Sequence, residues 1–169
     1  MNQINIKYLV ASAIMLASCS NIDCPLDNVV MMQCNLYGYE TQQAFTLTDT
    51  LSVTPFGRDT VLLNSASDVK QFLLPLKQSA DNDTLLLHLS NNKGQQAVDT
   101  LFVDHTRQAH FESLDCPSSV FHNITKVRAT SHPLSQFPLT VDSVSLVRST
   151  VNYDDVENIR IFLRSTTSK

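Results

Sequence analysis

Four histidines, His105, His110, His122 and His132, fall in one stretch of the chain, with Asp104, Asp115 and Asp154 as the acids nearest to hand. Imidazole and carboxylate side chains can together move protons or hold a metal. Zinc asks for three or four ligands within about 2.0–2.3 Å of one ion. If His122 and His132 shared one straight strand they would stand about 33 Å apart and could not share an ion, whereas His110 could approach either across a hairpin. The simpler reading of each histidine is a structural or surface side chain bonded to backbone. Asp81-Asn82-Asp83 begins like a calcium loop, but Leu86 and Asn92 stand where the pattern wants Gly and Glu. Asp154, Asp155 and Glu157 read as a solvated turn before the last strand rather than a calcium site. Gly38, Gly57 and Gly94 are the only glycines. Their placement excludes a Walker A loop, a dinucleotide fingerprint and a nucleophile elbow. No motif calls for a cofactor, and nothing places Cys34 beside a histidine to make a thiol dyad.

A different chemistry is written at the amino terminus. Lys7 is followed by the apolar run Tyr8 to Ala17 and then by Leu16-Ala17-Ser18-Cys19. A positive start, a short apolar run and a small-residue exit make a secretory signal peptide. The run is too short for a bilayer-spanning helix, which needs about 20 residues. Leu-Ala-Ser-Cys resembles a bacterial lipobox. That resemblance implies cleavage after Ser18, acylation of Cys19 and a membrane link through its lipid, with residues 1–18 as signal and 19–28 as a short tether broken by Pro25. More than one acyl chain is needed for stable anchoring. Ser20, rather than Asp, follows Cys19, which points to the outer membrane, on either its periplasmic face or the cell surface.

Loss of Lys7 takes the formal net charge from −4 to −5. An acidic mature chain argues against a nucleic-acid partner and against electrostatic docking on anionic lipid. Export puts Cys24, Cys34 and Cys116 in an oxidising compartment, where a disulfide is the default. Cys24 and Cys116 share Asp-Cys-Pro settings that read as turns, and Cys34 lies in the apolar run Val29 to Leu36 as a small hydrophobe. A Cys24–Cys116 bridge is therefore expected. Pairing through Cys34, or three free thiols, stays open.

The elements that position these residues alternate with period two. Phe45, Leu47, Leu51 and Val53 share one parity, as do Leu85 and Leu87, Leu101 and Val103, and Ile159 and Ile161. With Val127 they form the expected core. Such alternation marks half-buried antiparallel strands, and Thr, Val and Leu suit a pleated surface. About eight strands separated by turn residues predict an all-β antiparallel sandwich of immunoglobulin-like type over 29–169. Ser67 to Phe72 holds one expected turn of helix. With no tryptophan in the chain, Tyr37, Tyr39 and Tyr153 are the only aromatic platform for a sugar that tyrosine supplies to the mature chain.

One triplet recurs: Asp49-Thr50-Leu51, Asp59-Thr60-Val61, Asp83-Thr84-Leu85, Asp99-Thr100-Leu101 and Asp142-Ser143-Val144. The plain reading is that Asp closes a turn and Thr opens a strand. The triplet is also similar to the Asp-Ser/Thr-aliphatic acceptor for O-glycans on exported Bacteroidetes proteins, which would make Thr50, Thr60, Thr84, Thr100 and Ser143 modification sites.

The second half carries Asp115-Cys116, Phe121-His122-Asn123-Ile124-Thr125, Val127-Arg128, Thr130-Ser131-His132, Val151-Asn152-Tyr153-Asp154 and Glu157-Asn158. Together with Asp23-Cys24-Pro25-Leu26 these resemble a family of small Bacteroidetes lipoproteins of unknown function. The resemblance implies an all-β exported lipoprotein and transfers no activity. The expected role is that of a non-catalytic anchored module binding an envelope protein or glycan, or serving as a structural accessory. The alternative is a small hydrolase or metal-dependent enzyme using the His and Asp residues of 104–154.

Overall fold

The computed structural model describes Cys24 and residues 29–166. The expected signal peptide, the expected acylation residue Cys19 and the rest of the expected tether lie outside the described residues. Ten strands form and no helix forms among the described residues: β1 (Met31–Gly38), β2 (Thr50–Pro55), β3 (Leu63–Ala66), β4 (Gln71–Pro75), β5 (Asn82–Ser90), β6 (Gln96–His110), β7 (Ser119–Thr130), β8 (Leu139–Leu146), β9 (Thr150–Val151) and β10 (Glu157–Ser165). They make a four-stranded sheet in the order β4-β1-β10-β8 and a six-stranded sheet in the order β3-β2-β5-β6-β7-β9. The inner faces share one core, to which β5 gives Leu85, Leu87 and Leu89, β6 gives Leu101 and Val103, and the small sheet gives Met32, Cys34, Leu36, Ile159 and Ile161. This is the all-β sandwich that the alternation predicts.

The details depart from expectation in four places. The strands number ten rather than about eight, because short β3 and β9 pair at the rims of the large sheet. One pair is parallel: β1 runs beside β10 with Cys34 opposite Ile159 and Leu36 opposite Ile161. Two distant runs with the same inward parity can pair either way, and alternation alone does not carry strand direction. Ser67 to Phe72 holds no helix; Asp68 takes a left-handed φ of 56° and the chain enters β4 at Gln71. Phe45 and Leu47 precede β2, Leu47 sits in an isolated bridge to Val69, and Phe45 and Val127 are only partly buried.

A bulge in β7 decides which of its side chains reach the interior. Opposite β6, Asp104 pairs with Lys126 and His105 with Ile124, so Thr125 has no partner in the register. Its hydroxyl donates to the Asp104 carbonyl at 3.0 Å. An extra residue in one strand switches the side-chain parity beyond it. Val127 and Ala129 face inward on one side of the bulge, and His122 and Ile124 face inward on the other.

Candidate functional site

β5 pairs with β6 only as far as Asn82 opposite Asp104. Beyond that point β6 and β7 continue as a hairpin, from His105 opposite Ile124 to His110 opposite Ser119. Its base holds a buried polar cluster. Asp83 continues the inward parity of Leu85, Leu87 and Leu89, and His105 continues that of Leu101 and Val103. His105 Nε2 lies 3.0 Å from Asp83 Oδ2, and His105 Nδ1 lies 3.2 Å from His122 Nδ1. The same Asp83 oxygen accepts the Lys77 backbone N–H at 3.0 Å, and the Lys77 ammonium stands 3.9 Å from the other oxygen. A carboxylate only accepts, so His105 donates from Nε2. With His105 neutral, its Nδ1 then accepts from His122 Nδ1–H; protonation of His105 would reverse that bond. Burial first, then the neighbouring His105, pushes the His122 imidazole down to about 4; Asp83 opposes this and Arg107 adds to it. His122 is therefore neutral at neutral pH. Hydrogen-bond donors thus run along one buried line, from His122 through His105 to the Asp83 carboxylate.

It does not make a metal centre. Two Nδ1 atoms converge, one or two ligands short of a zinc site, and among the described residues no group of three His, Cys, Asp or Glu could hold an ion. Arg107 crosses the outside of the hairpin, donating from Nε to Asp81 Oδ1 at 2.7 Å and from a terminal nitrogen to the Gln78 carbonyl at 2.9 Å. Its guanidinium holds the Asp81 carboxyl below the usual carboxylate range. Between this strap and the hairpin lies an open depression of about 520 Å³, lined by Gln78, Asp81, Thr106, Arg107, Ala109 and Val120.

The hairpin tip carries the cysteine. A disulfide joins Cys24 to Cys116, with Cα atoms 5.5 Å apart across a separation of 92 residues. Behind the tip, His110 stacks on Phe121 with centroids 4.2 Å apart, and Tyr153 meets Phe121 edge-on at 5.1 Å. The Tyr153 hydroxyl is 2.5 Å from Ser119 Oγ. Phe121-His122 and Val151-Asn152-Tyr153, far apart in sequence, thus meet on this hairpin, through the Phe121–Tyr153 ring contact and the pairing of His122 with Val151. Residues 19–163 match a family of unknown function, DUF6452.

The chain belongs to the DUF6452 family. No curated protein and no solved structure matches it. In this DUF6452 chain the histidines and acids weighed from sequence do not gather into one cleft. His110 bonds Glu112 at 2.9 Å on the surface, Asp104 faces Arg128 at 3.8 Å, and Asp154 is held by Arg148 and Asn152, both at 3.0 Å. Asp115 is exposed. His132 lies elsewhere, its Nδ1 2.8 Å from Asp99 Oδ1. Cys34 is fully buried between Phe72 and Ile159 in the register, and burial raises its thiol to about 12, so it stays protonated and inert.

The recurring triplets divide. Thr50 opens β2 as the plain reading expects. Asp83 and Asp99 correct that reading: both lie inside strands and point into the sandwich, 3% and 0% exposed. Thr60 and Ser143 are exposed, and Thr50, Thr84 and Thr100 are half-buried. What sequence reasoning missed is the meeting of Asp83, His105 and His122. Two of the three were legible from strand parity, since each extends an apolar series. His122 was not, because the Thr125 bulge reverses its face.

Proposed function

We propose that this protein is a non-catalytic lipoprotein of the Bacteroidetes cell envelope, anchored in the outer membrane by acyl chains on Cys19. It serves as a binding or structural accessory module for an envelope protein or glycan. The observation that carries the reading is the Cys24–Cys116 disulfide, a bond that persists in oxidising compartments. It fits export under the signal peptide of residues 1–18. The family match begins at Cys19, the residue that becomes the amino terminus after lipobox cleavage. Thr60 and Ser143, in exposed positions, are the most accessible of the O-glycan acceptors Thr50, Thr60, Thr84, Thr100 and Ser143. Of the side chains the enzyme alternative would use, only His105 and His122 meet, and they do so in a buried cluster; His110, His132, Asp104, Asp115 and Asp154 stand in separate places. Cys19→Ala should abolish labelling by radioactive palmitate and leave the uncut precursor. Label retained by that variant overturns the reading.

A further inference from the structure

Two of the most exposed large apolar side chains, Leu114 at 102% and Phe111 at 64%, stand on the single loop 111–118 at the hairpin tip. Soluble surfaces tolerate single exposed apolar residues, but two on one protruding loop mark a contact. The covalent geometry says what lies near it. The same loop carries Cys116, bonded to Cys24 with Cα atoms 5.5 Å apart. Cys24 is five residues from Cys19, and five residues span at most about 18 Å. Cys116 thus stays within about 24 Å of the acylation point whatever path the tether takes, with Leu114 two residues from it. By contrast the turn 91–95 at the other end of β6 is about 46 Å from the tip at ~3.3 Å per residue.

We propose that the loop 111–118 docks on a zwitterionic lipid surface, with Leu114 and Phe111 entering the boundary between headgroups and acyl chains. The proposal rests on the proposed anchoring at Cys19. The side chains behind the loop suit that depth. Phe121 and Tyr153 form an aromatic collar, and Tyr153 keeps its hydroxyl bonded to Ser119. Rings with an apolar body and a polar tip collect at membrane interfaces. Charge selects the lipid. The loop carries Glu112 and Asp115 and no lysine or arginine, so an anionic surface repels it and an uncharged one does not. The disulfide makes the contact two-point: lipid at Cys19, side chains at the tip, with the sandwich oriented between them.

The chain has no tryptophan, which makes a direct test available. Leu114→Trp and, as a distant reference, Lys93→Trp are placed in the full acylated protein. Each is reconstituted on phosphatidylethanolamine–phosphatidylcholine vesicles with brominated acyl chains. Both variants should float with the vesicles. The indole introduced at position 114 should show blue-shifted emission and several-fold stronger quenching than that at position 93. Flotation with equal quenching overturns the docking and leaves the anchor standing. A blue shift without bromine quenching means that a second copy of the chain covers the loop instead, and also overturns it. Failure to float overturns the anchor and the docking with it.

Discussion

Asp83 and Asp99 each head an Asp-Thr-Leu triplet, each points into the sandwich from the large sheet, and each holds a buried histidine. They differ in what else they hold. Asp99 is enclosed by four donors: the His132 backbone N–H at 2.7 Å, His132 Nδ1 at 2.8 Å, Thr140 Oγ1 at 3.1 Å and the Val141 backbone N–H at 2.8 Å. Two of these are main-chain groups of the crossover into β8, so Asp99 ties the six-stranded sheet to the four-stranded one. Ser131 reinforces the tie by donating to the Val141 carbonyl. His132 is the terminus of this arrangement, because its Nε2 is buried without a partner among the described residues. Asp83 holds one backbone amide, that of Lys77, in a part-buried place. Its histidine is not a terminus, since His105 hands its second nitrogen to His122. One pair closes a joint between sheets. The other passes a proton-bearing contact on toward the projecting hairpin.

The largest expected effect separates them by stability. Asp99→Ala strips a buried amide pair, a hydroxyl and an imidazole of their acceptor at once. Breaking a buried, multiply bonded charge costs about 3–5 kcal/mol. Asp83→Ala should cost about 1–3 kcal/mol, because water can reach the part-buried Lys77 amide in its place. Urea midpoints of the two variants at equal m-value measure the difference. Equal losses would mean that both aspartates are joints of the same kind.

The second test is by pH. His122 has an ordinary value of 6.5, and burial with His105 pushes it down to about 4 in the folded chain. A depressed histidine binds its proton in the unfolded chain before the folded one. Stability from keeping it neutral is therefore whole above pH 6.5 and lost as pH falls toward 4, by up to about 3 kcal/mol. The carboxyls of Asp81 and Glu157, both held below their ordinary values, act in the same sense but lower on the scale. His122→Gln should flatten the slope between pH 6.5 and 4 while leaving the lower limb. An unchanged slope would mean that burial and His105 do not hold the His122 imidazole below its ordinary value.

The contrast also shows how far the sequence could be read. Asp83 precedes Leu85, Leu87 and Leu89 at even steps, and Asp99 precedes Leu101 and Val103 in the same way. Their burial was therefore legible as parity, yet polar residues at strand starts read naturally as turn chemistry, and that weight misled. The identities of their partners were not legible. His105 and His122 meet because Thr125 is an extra residue in β7, and one residue of slippage has no signature in alternation that is interrupted on both sides. His132 and Thr140 meet Asp99 because β8 belongs to the other sheet, a choice made by global packing. The parallel pairing of β1 with β10 has the same origin. The cysteine pairing was readable in outline from the matched Asp-Cys-Pro sequences, which set Cys24 and Cys116 apart from Cys34 in its apolar run.

The smallest effect tests whether main-chain groups carry the Asp99 joint. Thr140→Val keeps the branched shape and removes only the hydroxyl, whose oxygen is 3.1 Å from Asp99 Oδ2 and 3.4 Å from His132 Nδ1. The carboxylate keeps three donors, two of them backbone amides that no substitution at Thr140 removes. A neutral-to-charged hydrogen bond lost under these conditions should cost about 1.5 kcal/mol, the low end for a charged acceptor. The lost hydroxyl also leaves a valine methyl beside the carboxylate, which adds a small desolvation cost in the same direction. If Thr140→Val instead costs as much as Asp99→Ala, the hydroxyl rather than the amides organises the joint. The resemblance between the two Asp–His pairs would then be closer than their backbone contacts suggest, each depending on a chain of side chains. Chemical denaturation of Thr140→Val beside Asp99→Ala decides between these, and amide exchange at Val141 gives the local reading: protection retained in Thr140→Val and lost in Asp99→Ala.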